Sequence, residues 1–519
     1  MEQSAIKLNV VFIIQLVTVF VAAIGMVPRE ALLFSGAVLV FFVLFSPVRE
    51  SVLLIARSIP ILTALPLTEH FDSLNIWRIL VLIMFLQWVW QERIIAYCCA
   101  AYEKLKAQTR MNGMIATIRY VYGTWRIEFL MLCLFLVAFF SLLQVENFAI
   151  GAKRIIYFAN LGMLFFVVRS VVQTIDDARM IARNVVIGAL IVLAVGVVQL
   201  GMAYIVHIDY FAEFWALEVN QALYGSGWAY IAVNANTWFA YYNDTIHLRM
   251  FSSFPDTHSF PLYLLMSMCF AMLLFWKNRW VAIVLALATA ALVLSGTRGI
   301  WLAALFPALL LAYLAYMHGV PRQLVRRSVL PLVLFAVALP LSTFIFSSTQ
   351  FKLKESSVHQ RVLVERIKSI INTEETSNQG RIEIWRATLA SMAQHPFLGV
   401  GVGNFPTILK QNPTAIKAGS SAHNLYLNFF AELGVFGFIL LLLIIYELWR
   451  RGWRLLMRSH AENERFFGLN VLLYFTWIVW YSMTDVAIFD ERAFLLFMIL
   501  CGVLFSIAAR IAPTRHAAA

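Results

Sequence analysis

Residues 425–448 read LYLNFFAELGVFGFILLLLIIYEL, and they follow directly on Ser420-Ser421-Ala422-His423-Asn424. The run is almost entirely apolar, and about 20 such residues in a helix span the ~30 Å hydrocarbon core of a bilayer. We therefore expect a membrane-spanning helix that begins at Leu425. His423 is then expected to lie where the chain enters the membrane.

The composition extends this expectation to the whole chain. Of the 519 residues, 61% are hydrophobic and only 13% are charged, whereas soluble domains carry about 25% charged residues. The sequence predicts an all-α polytopic membrane protein with 12 to 14 transmembrane helices, of which twelve is our prediction. The apolar runs 31–47 and 51–66 are interrupted by Pro47 and Pro60, so they form either two spans or a re-entrant pair.

The net charge of +12 is distributed by topology, so nucleic acid is not an expected partner. Short connections rich in Lys and Arg face the cytoplasm, and this places the basic segments 93–126, 318–327 and 449–466 inside. Both termini are then cytoplasmic, and the two long connections lie outside. The predicted organisation is 1–347, transmembrane helices with an external loop at about 208–258; 348–424, a large external loop; and 425–519, C-terminal transmembrane helices with a short cytoplasmic tail.

The large external loop has the pattern of a folded, helical unit. Apolar residues from Val362 to Ile371 recur at helical spacing and predict an amphipathic helix along the membrane interface. A second helix is expected from Arg381 to about Ala393, ended by His395-Pro396. The glycine run 398–404 follows, and it favours a tight turn or a close backbone approach rather than nucleotide binding.

Three arginines are expected at the outer membrane boundary. Arg154, Arg249 and Arg298 each lie at the external end of a predicted span. A guanidinium is a planar, permanently charged group that matches phosphate oxygens, although a terminal arginine also serves as an interfacial anchor. Arg298 is the most constrained of the three, because the turn Ser295-Gly296-Thr297-Arg298-Gly299 leaves almost no loop through which it could move away.

His423 is the candidate for proton transfer. It stands beside Asn424 where the loop re-enters the membrane, and imidazole titrates close to ambient pH. A purely structural histidine is the alternative. The external loops show no spacing typical of metal ligands, nor do the five cysteines, so metal-dependent transfer is disfavoured and no cofactor is expected. Arginines would then compensate developing negative charge.

These residues resemble the O-antigen ligase family, within the superfamily shared with O-antigen polymerases. The resemblance covers about residues 290–440, and in the N-terminal half it extends only to Arg249 before a Phe-Pro-Asp segment. The matching features, in chain order, are Ser295-Gly-Thr-Arg298-Gly, Gly380-Arg381-Ile-Glu-Ile-Trp385, Pro396-Phe-Leu-Gly399-Val-Gly401-Val-Gly403-Asn404, and Ala422-His423-Asn424-Leu-Tyr426 leading to Glu432-Leu433-Gly434.

The resemblance implies a glycosyltransferase of the bacterial inner membrane with its active site on the periplasmic face. It implies a donor glycan on undecaprenyl diphosphate, passed en bloc and with inversion to a hydroxyl of lipid A–core, completing lipopolysaccharide. His423 then matches the essential loop histidine, and Arg249 and Arg298 match the diphosphate-binding arginines. Arg381 and Asn424 belong to the loop motifs and are further candidates for substrate binding, to which we add Arg154 for its position alone.

Three other functions stay open on the sequence. An O-antigen polymerase shares the donor, the fold and the histidine motif, so the sequence barely separates it from a ligase. An O-oligosaccharyltransferase acting on protein is a second alternative. A transporter of lipid-linked glycans is disfavoured, because it predicts polar residues in the middle of spans, and Glu432 and Asp485 are the main charges there.

Overall fold

Helices make up most of the residues that the structure describes. A computed structural model describes residues 2–66, 75–234, 237–242, 245–346, 348–351, 376–410 and 421–511. The α-helices are Glu2–Ala23, Ala31–Phe45, Val48–Ser58, Ile76–Gln91, Ile94–Thr124, Arg126–Ser141, Phe148–Val171, Ile175–Ile205, Ile208–Glu213, Gln221–Tyr224, Ser226–Asn234, Ser259–Phe275, Val281–Leu294, Arg298–Ala303, Leu305–Met317, Arg322–Ser328, Leu330–Phe346, Thr376–Gln394, Phe405–Ile408, Leu425–Arg458, Glu462–Tyr481 and Glu491–Ala509.

Several of these helices are built to cross a membrane. Within the described residues seven are long and apolar enough, and the bent pair Ile76–Gln91 and Ile94–Thr124 makes up to eight. The helical, multi-pass membrane class is therefore confirmed, whereas a total of twelve spans stays a prediction. The seven are Ala5–Ala23, Phe148–Val171, Ile175–Ile205, Arg298–Met317, Arg322–Phe346, Leu425–Arg458 and Glu491–Ala509.

The interrupted apolar pair near the N-terminus forms two short helices. Ala31–Phe45 has 15 residues and Val48–Ser58 has 11. At a rise of 1.5 Å per residue neither reaches across a ~30 Å hydrocarbon core. The second helix is largely buried against its neighbours, and its Arg57 donates to the side-chain oxygens of Asn184 (2.8 Å) and Asn9 (2.7 Å). Neither helix is a complete span on its own.

A small β-hairpin interrupts the helical fold, and the sequence did not predict it. Strands Phe239–Tyr242 and Thr245–Leu248 pair antiparallel, with Phe239 opposite Leu248. The pairing continues for one more hydrogen bond, from the Arg249 backbone N–H to the Trp238 carbonyl at 2.8 Å. The hairpin thereby fixes the backbone from which the Arg249 side chain departs.

The basic connections meet at one end of the helix bundle, which we call the basic face. Arg126 lies 3.6 Å from Glu447, and the rings of His318 and Trp453 are 4.8 Å apart. Lys277 and Asp176, from two further connections, form an ion pair at 3.6 Å. Segments that are distant in sequence but similar in charge therefore lie together. The amphipathic helix predicted from Val362 to Ile371 lies outside the described residues.

Candidate functional site

The backbone on both sides of His423 is held in place by three neighbouring segments. The Trp385 indole N–H, from the helix Thr376–Gln394, donates to the Ala422 carbonyl at 2.7 Å. The Ala422 N–H donates to the Asn428 side-chain oxygen at 3.1 Å, and the Leu425 N–H donates to the Ser482 carbonyl at 2.8 Å. The predicted second loop helix is thus confirmed, and it anchors the histidine motif.

His423 adopts a backbone conformation that residues other than glycine rarely take. Its φ is +45°, and such a conformation costs about 1–3 kcal/mol unless the surroundings compensate for it. Asn424 begins the next helix, since its side-chain oxygen accepts from the N–H groups of Tyr426 (3.0 Å) and Leu427 (3.1 Å). Asn424 therefore has a capping role, and its predicted contact with substrate stays a prediction.

The helix Leu425–Arg458 is broken at Gly434, and the glycine run 398–404 fills the break. Gly434 has φ 64° and ψ −167°, a conformation open essentially to glycine alone. The N–H groups of Val400 and Gly401 donate to the carbonyls of Ala431 (2.8 Å) and Glu432 (3.1 Å). These bonds provide hydrogen-bond donors to carbonyls that the break in the helix would otherwise leave unpaired. The tight approach predicted for the run is confirmed, and it holds the His423 end of the helix.

A buried aspartate joins His423 to a second histidine. The Asp485 carboxylate lies 3.0 Å from the Nδ1 atom of His258 and 3.9 Å from that of His423. Burial raises the pKa of Asp485, but the histidines outweigh this effect, so the pKa lies below its usual range and the group stays ionised. His423 is the more accessible histidine, since its side chain is 39% exposed and that of His258 is 21% exposed.

Sequence reasoning missed both Asp485 and His258 as site residues. Each is far from His423 in the chain, and only the fold brings the three together. One signal was available for Asp485, because an isolated acidic residue in an apolar run is a functional candidate by default. His258 carried no comparable signal, since the external loops contain several histidines.

Arg249 reaches the turn that carries Arg298. Its Nε donates to the Ser295 carbonyl at 3.3 Å, and one terminal nitrogen donates to the Thr297 hydroxyl at 3.4 Å. Arg298 follows immediately as the first residue of the helix Arg298–Ala303. The two arginines predicted to bind diphosphate therefore come from different segments and meet at one turn.

The same turn also contacts the two segments that carry His258 and Asp485. The Thr297 hydroxyl donates to the carbonyl of Thr257, next to His258, at 2.6 Å. A Cβ on Gly299 would overlap the side chain of Thr484, next to Asp485. Glycine is thus needed for this close packing, and the arginine turn lies against the histidine–aspartate cluster. Four segments of the chain converge on one site.

Arg381 and Arg154 occupy different places relative to this site. Arg381 lies within electrostatic reach of Tyr481, as Arg249 and Asp485 do. Arg154 lies beside the Phe489 ring, 5.5 Å from its centroid, and interacts by charge with Glu432. The fold therefore brings Arg381 to the central cluster and sets Arg154 to one side of it.

A large apolar cavity lies beside the cluster. It has a volume of about 500 Å³ and is walled by apolar residues of the helices Arg126–Ser141, Phe148–Val171, Leu425–Arg458 and Glu491–Ala509. Leu425 and Ser482 also line it, close in sequence to His423 and Asp485, and so does Arg154. A cavity of this size and composition suits a hydrocarbon chain.

The fold and the site define a multi-pass helical membrane protein with an arginine pair, a histidine–aspartate pair and a lipid-sized cavity. Residues 283–442 match the family model described as O-antigen ligase. The chain carries the domain of the O-antigen ligase family there, and the resemblance is confirmed. No relative was found among curated proteins. The matched region contains Arg298, Arg381 and His423, whereas Arg249, His258 and Asp485 lie outside it.

Proposed function

We propose that this protein is an O-antigen ligase that acts without a metal ion or other cofactor. It transfers a glycan en bloc from undecaprenyl diphosphate to a hydroxyl of lipid A–core, with inversion at the anomeric carbon. The observation that carries this proposal is the convergence of an arginine pair and a histidine–aspartate pair beside an apolar cavity. The histidine–aspartate pair faces the acceptor hydroxyl, the arginine pair binds the diphosphate leaving group, and the cavity holds the lipid tail.

In this reaction His423 removes the proton from the acceptor hydroxyl. Its Nδ1 atom is directed to Asp485 at 3.9 Å, which leaves Nε2 for the substrate. The acceptor oxygen bonds to the anomeric carbon as the bond from that carbon to the phosphate oxygen breaks. The ionised Asp485 stabilises the imidazolium that forms, as the aspartate does in a catalytic triad. A positioned general base contributes about 10²–10⁴-fold to the rate.

Arg249 and Arg298 bind the diphosphate and stabilise the charge that develops on it as it leaves. Preorganised donors of this kind contribute about 3–4 kcal/mol each. Because the Arg249 side chain is hydrogen-bonded to the turn that carries Arg298, it is held beside that turn before substrate arrives. Arg381 is then a secondary contact, and Arg154 contacts the donor or acceptor lipid near the mouth of the cavity.

The apolar cavity accommodates the hydrocarbon tail of the carrier next to its diphosphate. We assign the face that carries this site to the periplasm and the basic face, with both termini, to the cytoplasm of the bacterial inner membrane. The carrier arrives in activated form, so the reaction needs no nucleotide on the periplasmic side.

A purified reaction tests the proposal. Wild-type protein, His423→Ala and His395→Ala are each incubated with undecaprenyl-diphosphate glycan and lipid A–core in the presence of a chelator. We expect wild type and His395→Ala, a control histidine from the same external loop, to transfer glycan to lipid A–core. His423→Ala should be slower by at least about 10²-fold.

Three other results would contradict parts of the proposal. Lengthening of the carrier-linked glycan with no labelled lipid A–core would identify a polymerase. Unimpaired transfer by His423→Ala would exclude the proposed base. Loss of transfer on chelation, restored by a divalent cation, would exclude the metal-independent mechanism.

A further inference from the structure

The helix Ile94–Thr124 on the basic face is a hairpin of two helices. Gly113 has φ 79° and ψ 166°, which breaks the helix and reverses the chain. The hydroxyls of Thr109 and Thr117 are 3.1 Å apart, and Lys104 lies 5.9 Å from the centre of the Tyr120 ring. Both contacts join a residue before the break to one after it, so the two helices run side by side in opposite directions. We call this unit the basic hairpin.

The basic hairpin exposes apolar side chains to an unusual degree. None of its residues is buried, and Ile95, Tyr102 and Ile115 are 69%, 62% and 69% exposed. Water is an unfavourable environment for apolar groups of this size. One stripe on the first helix combines apolar and cationic groups, because spacings of three and four place its members on one face: Ile95, Cys99, Tyr102, Lys106 and Arg110.

The charge and position of the basic hairpin both indicate the membrane surface. Segment 93–124 contains five Lys or Arg residues and one Glu. The hairpin is bent by 64° from the helix Ile76–Gln91 that precedes it. It is tied at its other end to the helix Arg126–Ser141, so both of its ends stay at the bilayer. Interfacial helices have this combination of exposed apolar groups and surplus cations.

We propose that the basic hairpin lies on the anionic phospholipid surface of the leaflet at which the helix Ile76–Gln91 ends. Its exposed apolar side chains enter the headgroup layer, and its lysines and arginines bind lipid phosphates. Each cation close to an anionic surface strengthens such binding about fivefold. The contact would fix the orientation of two membrane helices and does not depend on the proposed glycosyl transfer.

Cys99 is a native reporter within the stripe. A variant with Cys98→Ser and Cys133→Ser leaves Cys99 as the exposed thiol, because Cys133 is partly exposed whereas Cys269 and Cys501 are buried. The full-length protein is placed in nanodiscs of phosphatidylcholine alone or with a third of phosphatidylglycerol, and an uncharged maleimide labels Cys99. We expect labelling at least about fivefold slower in the anionic discs, with the difference abolished by high salt.

Two matched pairs of substitutions decide whether charge on the hairpin is the cause. Lys106→Gln with Arg110→Gln should abolish the difference between the two lipids. Arg322→Gln with Arg326→Gln removes two exposed cations at the same spacing elsewhere on the chain, and should preserve it. Equal labelling rates in detergent would show that both variants are folded alike.

Equal labelling of Cys99 in both lipids would overturn the proposal. So would slow labelling that survives high salt and the hairpin substitutions, since that result indicates a protein contact.

Discussion

Two buried carboxylates, Glu447 on the basic face and Asp485 at the candidate site, differ in the partners that hold them. Glu447 is fully buried and lies within ion-pair distance of Arg126, Arg450 and Arg451. Arginine does not lose its proton in proteins, so that cluster has one charge state. Asp485 is 7% exposed and lies within ion-pair distance of two histidines, and histidine is the side chain that most often transfers protons in enzymes. The first arrangement is suited to fixing helices, and the second is suited to moving a proton.

The largest effect is expected when arginines of the candidate site are removed. Arg249→Ala and Arg298→Ala should each lower the transfer rate by about 10²–10³-fold, because each removes a preorganised donor to the leaving group. Arg322→Ala is the matched control and should transfer normally, since Arg322 is an exposed arginine that, like Arg298, begins a short helix. Rates are measured in the purified reaction at equal protein concentration. A normal transfer rate in either site variant would exclude that arginine from a role in binding the leaving group.

The opposite result is expected at the Glu447 cluster. Glu447→Gln leaves its arginine partners without their carboxylate and should lower the free energy of unfolding by about 3 kcal/mol. Transfer per folded molecule should be unchanged, because the cluster takes no part in the reaction. Glu462→Gln, an exposed carboxylate, serves as the control. Thermal denaturation in detergent and the specific activity of the folded fraction test this. Normal stability with lost transfer activity would show that Glu447 has a role in the reaction and not in holding the helices together.

A smaller effect is expected at the break that supports His423. Gly434→Ala should lower stability by about 1–3 kcal/mol, since alanine disfavours that backbone conformation and its Cβ would overlap the Phe397 carbonyl. Gly201→Ala is a matched control, because a Cβ there meets open space. Both variants are compared by thermal denaturation. An unchanged melting temperature for Gly434→Ala would mean that the glycine run does not hold the break.

The sequence predicted the parts of this site that lie in local motifs. His423, Arg298 and the glycine run stand in short, ordered patterns, and the hydropathy predicted the membrane class. The sequence did not predict the pairing of Asp485 with His258 and His423, because that pairing depends on tertiary packing. The β-hairpin before Arg249 was missed because its strands are short and lie in an aromatic loop. The sequence left open whether the short helices near Pro47 form two spans or a re-entrant pair, since an apolar run does not show how far into the membrane each helix reaches.

The central claim is that Asp485 supports His423 as the general base, and a pH–rate profile tests it most directly. Transfer by wild type and by Asp485→Asn is measured across pH 5 to 9 in the purified reaction. Asparagine keeps the shape but removes the charge that favours the protonated imidazole. For Asp485→Asn we expect a rate at least about tenfold lower and an acidic limb of the profile displaced to lower pH. A profile identical to that of wild type in height and position would contradict it.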